Sequence, residues 1–481
     1  MPVTDTNTKF LGQLDRLVLL VCVLFVLFIP VDKRIWYDET VSVLCSKGIS
    51  HSTPAAFEGV SLITNAELGS YNTPSKVFDA TVIDNSNSYL YNITLHYFTN
   101  LFGNTVNTYV LLSRLFSVLS LVSFFFLSRR FIASPIFRSV ALLLLLADPV
   151  FFGMSMEIRA YAAGIFFTCL SALYLTRFID GEDSPGNLFF TFLFSVAAFL
   201  THFLAVYVLL VYGLLLIILK GKKLLSKKYI LPVLIPVLLL GLFFAFALSG
   251  LMVMNKQNEG IAEMHKGEFT YASVFFNFVR FTAINMKVVL PAFHPSDIIK
   301  LLSLVVVILV CTLARKLAND KIHRRHTYML LLLAISGSLM LTALSLIAKH
   351  NTPFYNRYFS FAIPFNCLFI AYFLYLLFKK SRFAIVNYTT LLFFIVPVTL
   401  LFYKGLGTKG NVKYTHTDIA DIIVADKMTD VVVKESADAL LIHCFLPQGY
   451  KLNYHVDPTA TSFNAYNSTT TRALPIIRID N

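Results

Sequence analysis

Charged side chains are scarce in this chain: Asp, Glu, Lys and Arg make up 14% of its 481 residues, against 57% hydrophobic and 15% aromatic. With a mean hydropathy of +0.69, that scarcity excludes a soluble globular protein of this length and leaves a polytopic α-helical membrane protein. The cysteines carry little chemistry. Cys22, Cys45, Cys169, Cys311, Cys367 and Cys444 follow no CxxC or other ligand spacing, and most fall inside apolar runs, so no disulfide framework or zinc site is indicated. Only Cys45 and Cys444 fall in segments expected on the outer face, where nothing in the spacing supports a bridge. Internal repeats, low-complexity tracts, a phosphate-cradling glycine loop and a nucleotide-binding fingerprint are all missing. The first apolar run has no small-residue cleavage site and reads as a retained span.

The charge that is present describes topology. The net charge of +13 is no nucleic-acid footprint, because the basic residues sit in short loops between apolar runs, as cytoplasmic loops do. At roughly 20 apolar residues per crossing, the runs near 15–32, 108–127, 138–155, 160–178, 187–201, 203–219, 230–250, 297–314, 328–348, 360–378 and 383–403 predict about eleven transmembrane helices. Reading 187–219 as two helices hinged near Thr201-His202 brings Lys220–Lys228, Arg315–Arg325, Arg129 with Arg130, and Lys379 with Lys380 and Arg382 to the inside together. The outer face then holds the loops 33–107 and 251–296, a short turn at 350–358, and the tail from Gly405. Leu90, Ile93, Tyr97, Phe98 and Leu101 recur at helical spacing and predict an interfacial helix in the first outer loop; Tyr271–Leu290 has a similar mixture. In the tail, Asp418–Met428 predicts an amphipathic helix, and Ala439–Phe445 and Lys451–Val456 predict strands. The expected organisation is a transmembrane domain over 1–404, with the outer loop 33–107 inside it, and a small extracytoplasmic α/β module over 405–481.

Asp38 and Glu39 follow the first span at once, where it leaves the membrane. A carboxylate with restricted solvent beside a bilayer can accept a proton from a hydroxyl nucleophile; an ordinary solvated turn is the plainer alternative. Arg114, Asp148, Glu157, Arg159, His202 and Arg357 also map to the outer ends of spans, and with the acidic pair they could line one outward-facing cavity. Each has a duller use. Glu157 and Arg159 could be an interfacial ion pair, His202 a hydrogen-bonded helix end, Arg357 and Tyr358 a snorkelling anchor, and Arg114 a cap or loop brace. A transporter of charged cargo would place such groups nearer the membrane midplane.

The order of these motifs resembles the type C glycosyltransferase superfamily, in the bacterial branch related to protein O-mannosyltransferases and lipid A aminoarabinose transferase. The acidic pair matches Asp38 and Glu39. A tyrosine-rich segment leading to "lfG" and an Arg-x-x-Ser helix match Tyr89-Leu-Tyr91, Leu101-Phe-Gly103 and Arg114 to Ser117. A proline and an "E-x-R-x-Y" turn match Pro149 and Glu157, Arg159 and Tyr161. "T-H" matches Thr201 and His202, and a late "R-Y" followed by proline matches Arg357, Tyr358 and Pro364. One departure stands out: the family's proline before Leu90 is missing, with Asn87 and Ser88 in its place.

The resemblance implies a glycosyltransferase that moves a monosaccharide, with inversion, from a polyprenyl-phosphate donor to a hydroxyl of a protein, lipid or glycan acceptor. Asp38 would be the base, and Glu39 and Glu157 would position the acceptor or tune that base. Arg159, His202, Arg357 and Tyr358 would bind the donor phosphate. The resemblance implies no definite cofactor; a divalent metal held by the carboxylates could serve, as in some relatives, although the sequence has no dedicated ligand constellation for one. Sugar nucleotides are cytoplasmic, so an outward-facing site calls for a lipid-linked donor, and a bacterial plasma membrane with the site facing the periplasm or exterior is the expected location. A flippase or exporter of lipid-linked sugars would explain the spans without the acidic pair. A lipid-linked glycan ligase or polymerase would be expected to carry its large outer loop late in the chain, and here the longest comes first.

Overall fold

In the computed structural model, residues 5–29, 37–50, 53, 57, 60–83, 88–243, 270–285, 297–318, 320–349, 356–380, 416–433, 436–447, 450–457, 463–466 and 471–474 are described. The expected span 383–403, the outer segment 251–269 and the start of the tail lie outside them. Among the described residues, five helices are long and apolar enough to cross a membrane, or up to six if one bent pair forms a single span; the sequence predicts about eleven.

The chain begins with α1 (Asp5–Phe28) and the short α2 (Tyr37–Ser46), whose first turn carries Asp38 and Glu39. Two acids suit a helix start, where unpaired N–H groups leave partial positive charge. Strand β1 (Leu62–Thr64) and helices α3 (Asn65–Gly69), α4 (Pro74–Ile83) and α5 (Tyr89–Phe102) are the further elements among the described residues of the first loop. The predicted helix near Leu90 is therefore α5. It buries Tyr91 and Leu95 and leaves Tyr97, Leu101 and Phe102 exposed.

Helix α6 (Val106–Phe131) starts on a Thr105 cap and ends on Arg129 and Arg130, the arrangement that opposes its dipole. Helices α7 (Pro135–Leu146) and α8 (Pro149–Met156) cover the expected 138–155 span but meet at 61°. The bend has a local cause: Pro149 lacks an N–H, and the Asp148 carboxylate accepts from Val150 N at 2.9 Å and Phe151 N at 3.0 Å. Asp148 is a buried helix cap rather than a cavity-lining group. Helices α9 (Tyr161–Ile179) and α10 (Pro185–Thr201) follow. A 3-10 turn, Phe203–Ala205, then leads into α11 (Val206–Leu224), so the 187–219 run breaks at His202 as expected. Further on lie helices Lys321–Ala348 and Ile363–Lys380, the latter entered through a 3-10 segment, Asn356–Ala362.

The two ends of the bundle differ. At the far end of α6, Arg130 and Arg325 both bond Asp180, and Lys220 and Lys223 bond Asp183 at 2.7 Å each. At its start, the Tyr109 hydroxyl donates to the Cys444 carbonyl at 2.9 Å. This joins the bundle to a five-stranded sheet of order β1-β3-β2-β4-β5, with β2 Asp430–Val433, β3 Asn453–Val456, β4 Phe463–Tyr466 and β5 Thr471–Leu474. The tail's expected helix forms as His416–Ala425. Ala439–Phe445 is not a strand: Ser436–His443 is helical, since a short apolar run fits a buried helix as well as a buried strand. The sheet also takes its edge strand β1 from the first loop, pairing Ile63 with Tyr454. One apolar core runs from Val43, Ile63 and Tyr91 to Ile419, Val431 and Leu440, so α2 and the tail share it.

Lys47, just past α2, closes this junction. It is 4% exposed, and its ammonium donates to Thr99 Oγ1 at 2.9 Å and Asn104 Oδ1 at 2.6 Å. Burial pushes its pKa down from 10.5 to about 8, which nearby Cys444 partly opposes. Between those two values the unfolded chain holds one more proton than the folded one, so this group makes stability rise with pH there and contributes no slope below it. The melting temperature in detergent should therefore climb from pH 8 towards pH 10 by an increment that Lys47→Met lacks. Parallel melting curves for the two proteins would contradict that.

Candidate active site

Asp38 sits at the start of α2 with its side chain 27% exposed, and two other elements converge on it. Arg357, from the 3-10 segment, places Nη1 3.1 Å from Asp38 Oδ2. Arg159, from the turn between α8 and α9, places Nη2 3.8 Å from the same oxygen and donates from Nη1 to the Asp38 carbonyl at 2.8 Å. The side chains of Arg357 and Arg159 are 30% and 21% exposed, so carboxylate and both guanidiniums line a surface that solvent reaches.

Glu39 behaves differently, although it is the next residue. Successive helical residues point about 100° apart, and Glu39 is turned inward, fully buried, accepting from Ile158 N at 2.7 Å. That bond holds the turn from which Arg159 projects. The acidic pair is thus divided between one carboxylate facing the opening and one bracing the wall. Glu157, at the end of α8, is half-buried and its carbonyl accepts from Arg159 N at 2.8 Å. Replacing Glu39 by Ala strands a buried N–H and is expected to cost about 1–3 kcal/mol of stability, with Glu39→Gln milder because an acceptor oxygen remains. Equal melting temperatures for Glu39→Ala and the parent would refute this.

His202, at the break between α10 and α11, is 2% exposed and stacks near Tyr161 with ring centroids 4.6 Å apart. Its Nδ1 accepts from Leu204 N at 3.2 Å, which assigns the proton of the neutral ring to Nε2. Burial, helped by Arg159 and Arg357, pushes its pKa down to about 3, so it remains a neutral N–H donor at physiological pH. Tyr161 also lies beneath the Arg159 guanidinium at 5.8 Å, and Tyr358 beneath that of Arg357 at 5.8 Å.

The position of Arg357 depends on a close approach. A Cβ on Gly164 would meet the Phe361 ring at 2.4 Å, so a larger residue there would push aside the buried ring through which the 3-10 segment packs on α9. The Tyr207 hydroxyl accepts from Phe361 N at 3.0 Å from the other side. Tyr161, Gly164 and Tyr207 were not among the residues expected to form the site; of these only Tyr161 carried a signal, as the last member of the Glu157-x-Arg159-x-Tyr161 turn. Arg114 is not in the site. It donates to the carbonyls of Leu27 at 2.8 Å and Ile29 at 2.7 Å, satisfying the end of α1.

A divalent ion does not fit these residues well. The Asp38 carboxylate faces two guanidiniums that would repel a cation, Glu39 is committed to a backbone N–H, and among the described residues no group of three or more His, Cys, Asp or Glu converges.

Residues 87–249 match the family of dolichyl-phosphate-mannose-protein mannosyltransferases. That stretch contains Glu157, Arg159 and His202, while Asp38 and Arg357 lie on either side of it. Among curated proteins no relative matches the chain. Solved structures of ArnT from Cupriavidus metallidurans align over 92% of this chain at 13% identity. The structure bound to undecaprenyl phosphate does so over 85% of its own chain with a TM-score of 0.38, and the apo structure over 86% with a TM-score of 0.35. Scores this low fix no residue correspondence, and the arrangement around Asp38 stands on its own distances. With the mannosyltransferase pattern lying across its central helices and several helices long and apolar enough to span a bilayer, the chain resembles the type C membrane glycosyltransferases.

Proposed function

We propose that this protein transfers a monosaccharide from a polyprenyl-phosphate donor to an acceptor hydroxyl, with inversion, at the α2 end of the bundle, and that this end faces the periplasm or exterior of a bacterial plasma membrane. The observation that carries the reading is a single solvent-accessible carboxylate, Asp38, set 3.1 Å and 3.8 Å from two guanidiniums. One group can take a proton while the others take a phosphate.

The chemistry follows from those types. Asp38 removes the acceptor's proton as its oxygen attacks the anomeric carbon from the face opposite the phosphate. The bond between that carbon and the phosphate oxygen breaks, and its electron pair leaves with the lipid phosphate. Negative charge therefore grows on the phosphate, where the planar forks of Arg357 and Arg159 match its oxygens. The neutral Nε2–H of His202 and the hydroxyl of Tyr358 supply further donors to it. Glu157 orients the acceptor. Glu39 acts through the backbone, by holding the Arg159 turn. The sugar could be a hexose or a pentose, and the acceptor a protein, a lipid or a glycan.

The test is to incubate purified protein with a polyprenyl-phosphate monosaccharide and a membrane extract as acceptor source, and to follow free polyprenyl phosphate. Its appearance together with loss of the sugar-linked lipid supports transfer. Movement of intact donor across proteoliposomes without release of lipid phosphate would instead identify a flippase.

A further inference from the structure

The same distances carry a consequence for how the site works, resting on the transfer reading above. The cation best placed for the donor phosphate already has an anion. Arg357 holds Asp38 Oδ2 at 3.1 Å, so the base and the phosphate clamp occupy one another. We infer that Asp38 is the built-in occupant of the donor-phosphate site, and that the lipid phosphate must displace its carboxylate from Arg357 before Asp38 is free to act as a base.

Several features make the two arginines unequal in this exchange. Arg159 is tied to residue 38 twice, through the backbone carbonyl at 2.8 Å as well as the carboxylate, so it stays with α2. Arg357 meets residue 38 through the carboxylate oxygen, and it projects from a 3-10 segment where its guanidinium rests on the ring of Tyr358. Both members of the Asp38–Arg357 pair are more than a quarter exposed, and an ion pair open to solvent is weak enough to be exchanged for a better anion. Asp38 meets Arg357 at Oδ2 from Nη1, and a phosphate that brings two oxygens to the same fork is that better anion.

The exchange orders the reaction. With the donor absent, Oδ2 of the carboxylate is engaged by two guanidiniums, so an acceptor hydroxyl arriving first finds that oxygen occupied. Donor binding takes Arg357 away and leaves Asp38 to accept the proton. Once protonated, Asp38 is neutral and cannot compete while the leaving phosphate gains charge. When it loses that proton to water, it is again an anion beside Arg357 and helps to expel the lipid phosphate product. One residue thereby suppresses idle chemistry, then performs the proton transfer, then promotes release.

The experiment compares the binding of undecaprenyl phosphate in detergent micelles to the parent protein, Asp38→Asn and Asp38→Ala, each checked for an unchanged melting profile. Removing the internal anion should tighten binding about threefold to tenfold in both variants, the factor by which a mostly occupied clamp weakens an incoming ligand. Equal or weaker binding by both variants, with clear binding by the parent, overturns the inference and leaves the transfer reading intact. If the parent itself binds no undecaprenyl phosphate, the transfer reading fails and this inference with it. Asp38→Ala removes every polar atom of the side chain, so tightening in Asp38→Ala but not in Asp38→Asn still supports the inference, the amide having kept its hold on Arg357.

Discussion

Asp38→Asn should lower the transfer rate by about 10²- to 10⁴-fold, the range a positioned general base contributes, while the protein inserts, folds and binds lipid phosphate. The amide has nearly the same size and cannot take a proton. The backbone carbonyl of residue 38, to which Arg159 donates, is untouched by the change. Structural damage is therefore not the expected cause of the loss. The comparison that isolates the effect is Glu39→Gln, one residue away and fully buried, which should alter stability more than chemistry. A single-turnover rate within threefold of the parent in Asp38→Asn would remove Asp38 from the role of base.

Arg357→Ala is the second large effect. Losing a donor aimed at charge that develops in the transition state costs on the order of 10²- to 10³-fold in kcat, and here donor binding should weaken as well. Arg357→Lys should recover only part of the rate, because an ammonium is a point charge and lacks the fork that meets two phosphate oxygens at once. Both constants should be read with a short-chain prenyl donor, so that the lipid tail does not mask the contribution of the headgroup. An unchanged kcat and KM in Arg357→Ala would reject the assignment. Arg159→Ala is the less clean variant, since it also removes the bond to the Asp38 carbonyl and loosens the start of α2.

Ionisable residues are expensive inside apolar runs, so the few that stand at the outer ends of those runs were the natural candidates in the sequence. That logic singled out Asp38, Arg159, His202 and Arg357 from positions more than 300 residues apart, and the fold brings both arginines to Asp38. It could not divide the acidic pair, since which of two neighbouring carboxylates faces a cavity depends on where α2 begins and what packs behind it. It also kept Asp148 among the cavity candidates, whereas Asp148 caps α8; for Arg114 the plainer reading, a cap or loop brace, is the one that holds, since it satisfies the end of α1. Helix-capping chemistry and cavity chemistry use the same side chains, and only the partner tells them apart.

The fold was legible to a similar depth. The break at His202 was anticipated from loop charge, and its cause is local: the imidazole accepts from Leu204 N and starts a new turn. The sheet was harder. Ala439–Phe445 is an apolar run too short for periodicity to discriminate, and it folds as part of a helix covering the β-strands. Strand β1 is three residues long and gains its pairing from residues nearly 400 positions later, information that no local pattern contains. The shared core beneath it links the tail to the helix that bears Asp38, so the division at residue 405 separates the sequence more sharply than it separates the packing.

Transfer from a lipid-linked donor requires the α2 end of the bundle to face away from the cytosol, where such a donor is the available sugar source. Ser70 is exposed in the same loop, at the end of α3, and the cysteines among the described residues are buried apart from the half-buried Cys311. A Ser70→Cys protein in intact spheroplasts, treated with a membrane-impermeant maleimide, reports the side directly. Labelling before permeabilisation is the predicted result; labelling that appears only after the membrane is opened would place Asp38 on the cytosolic side and contradict the account.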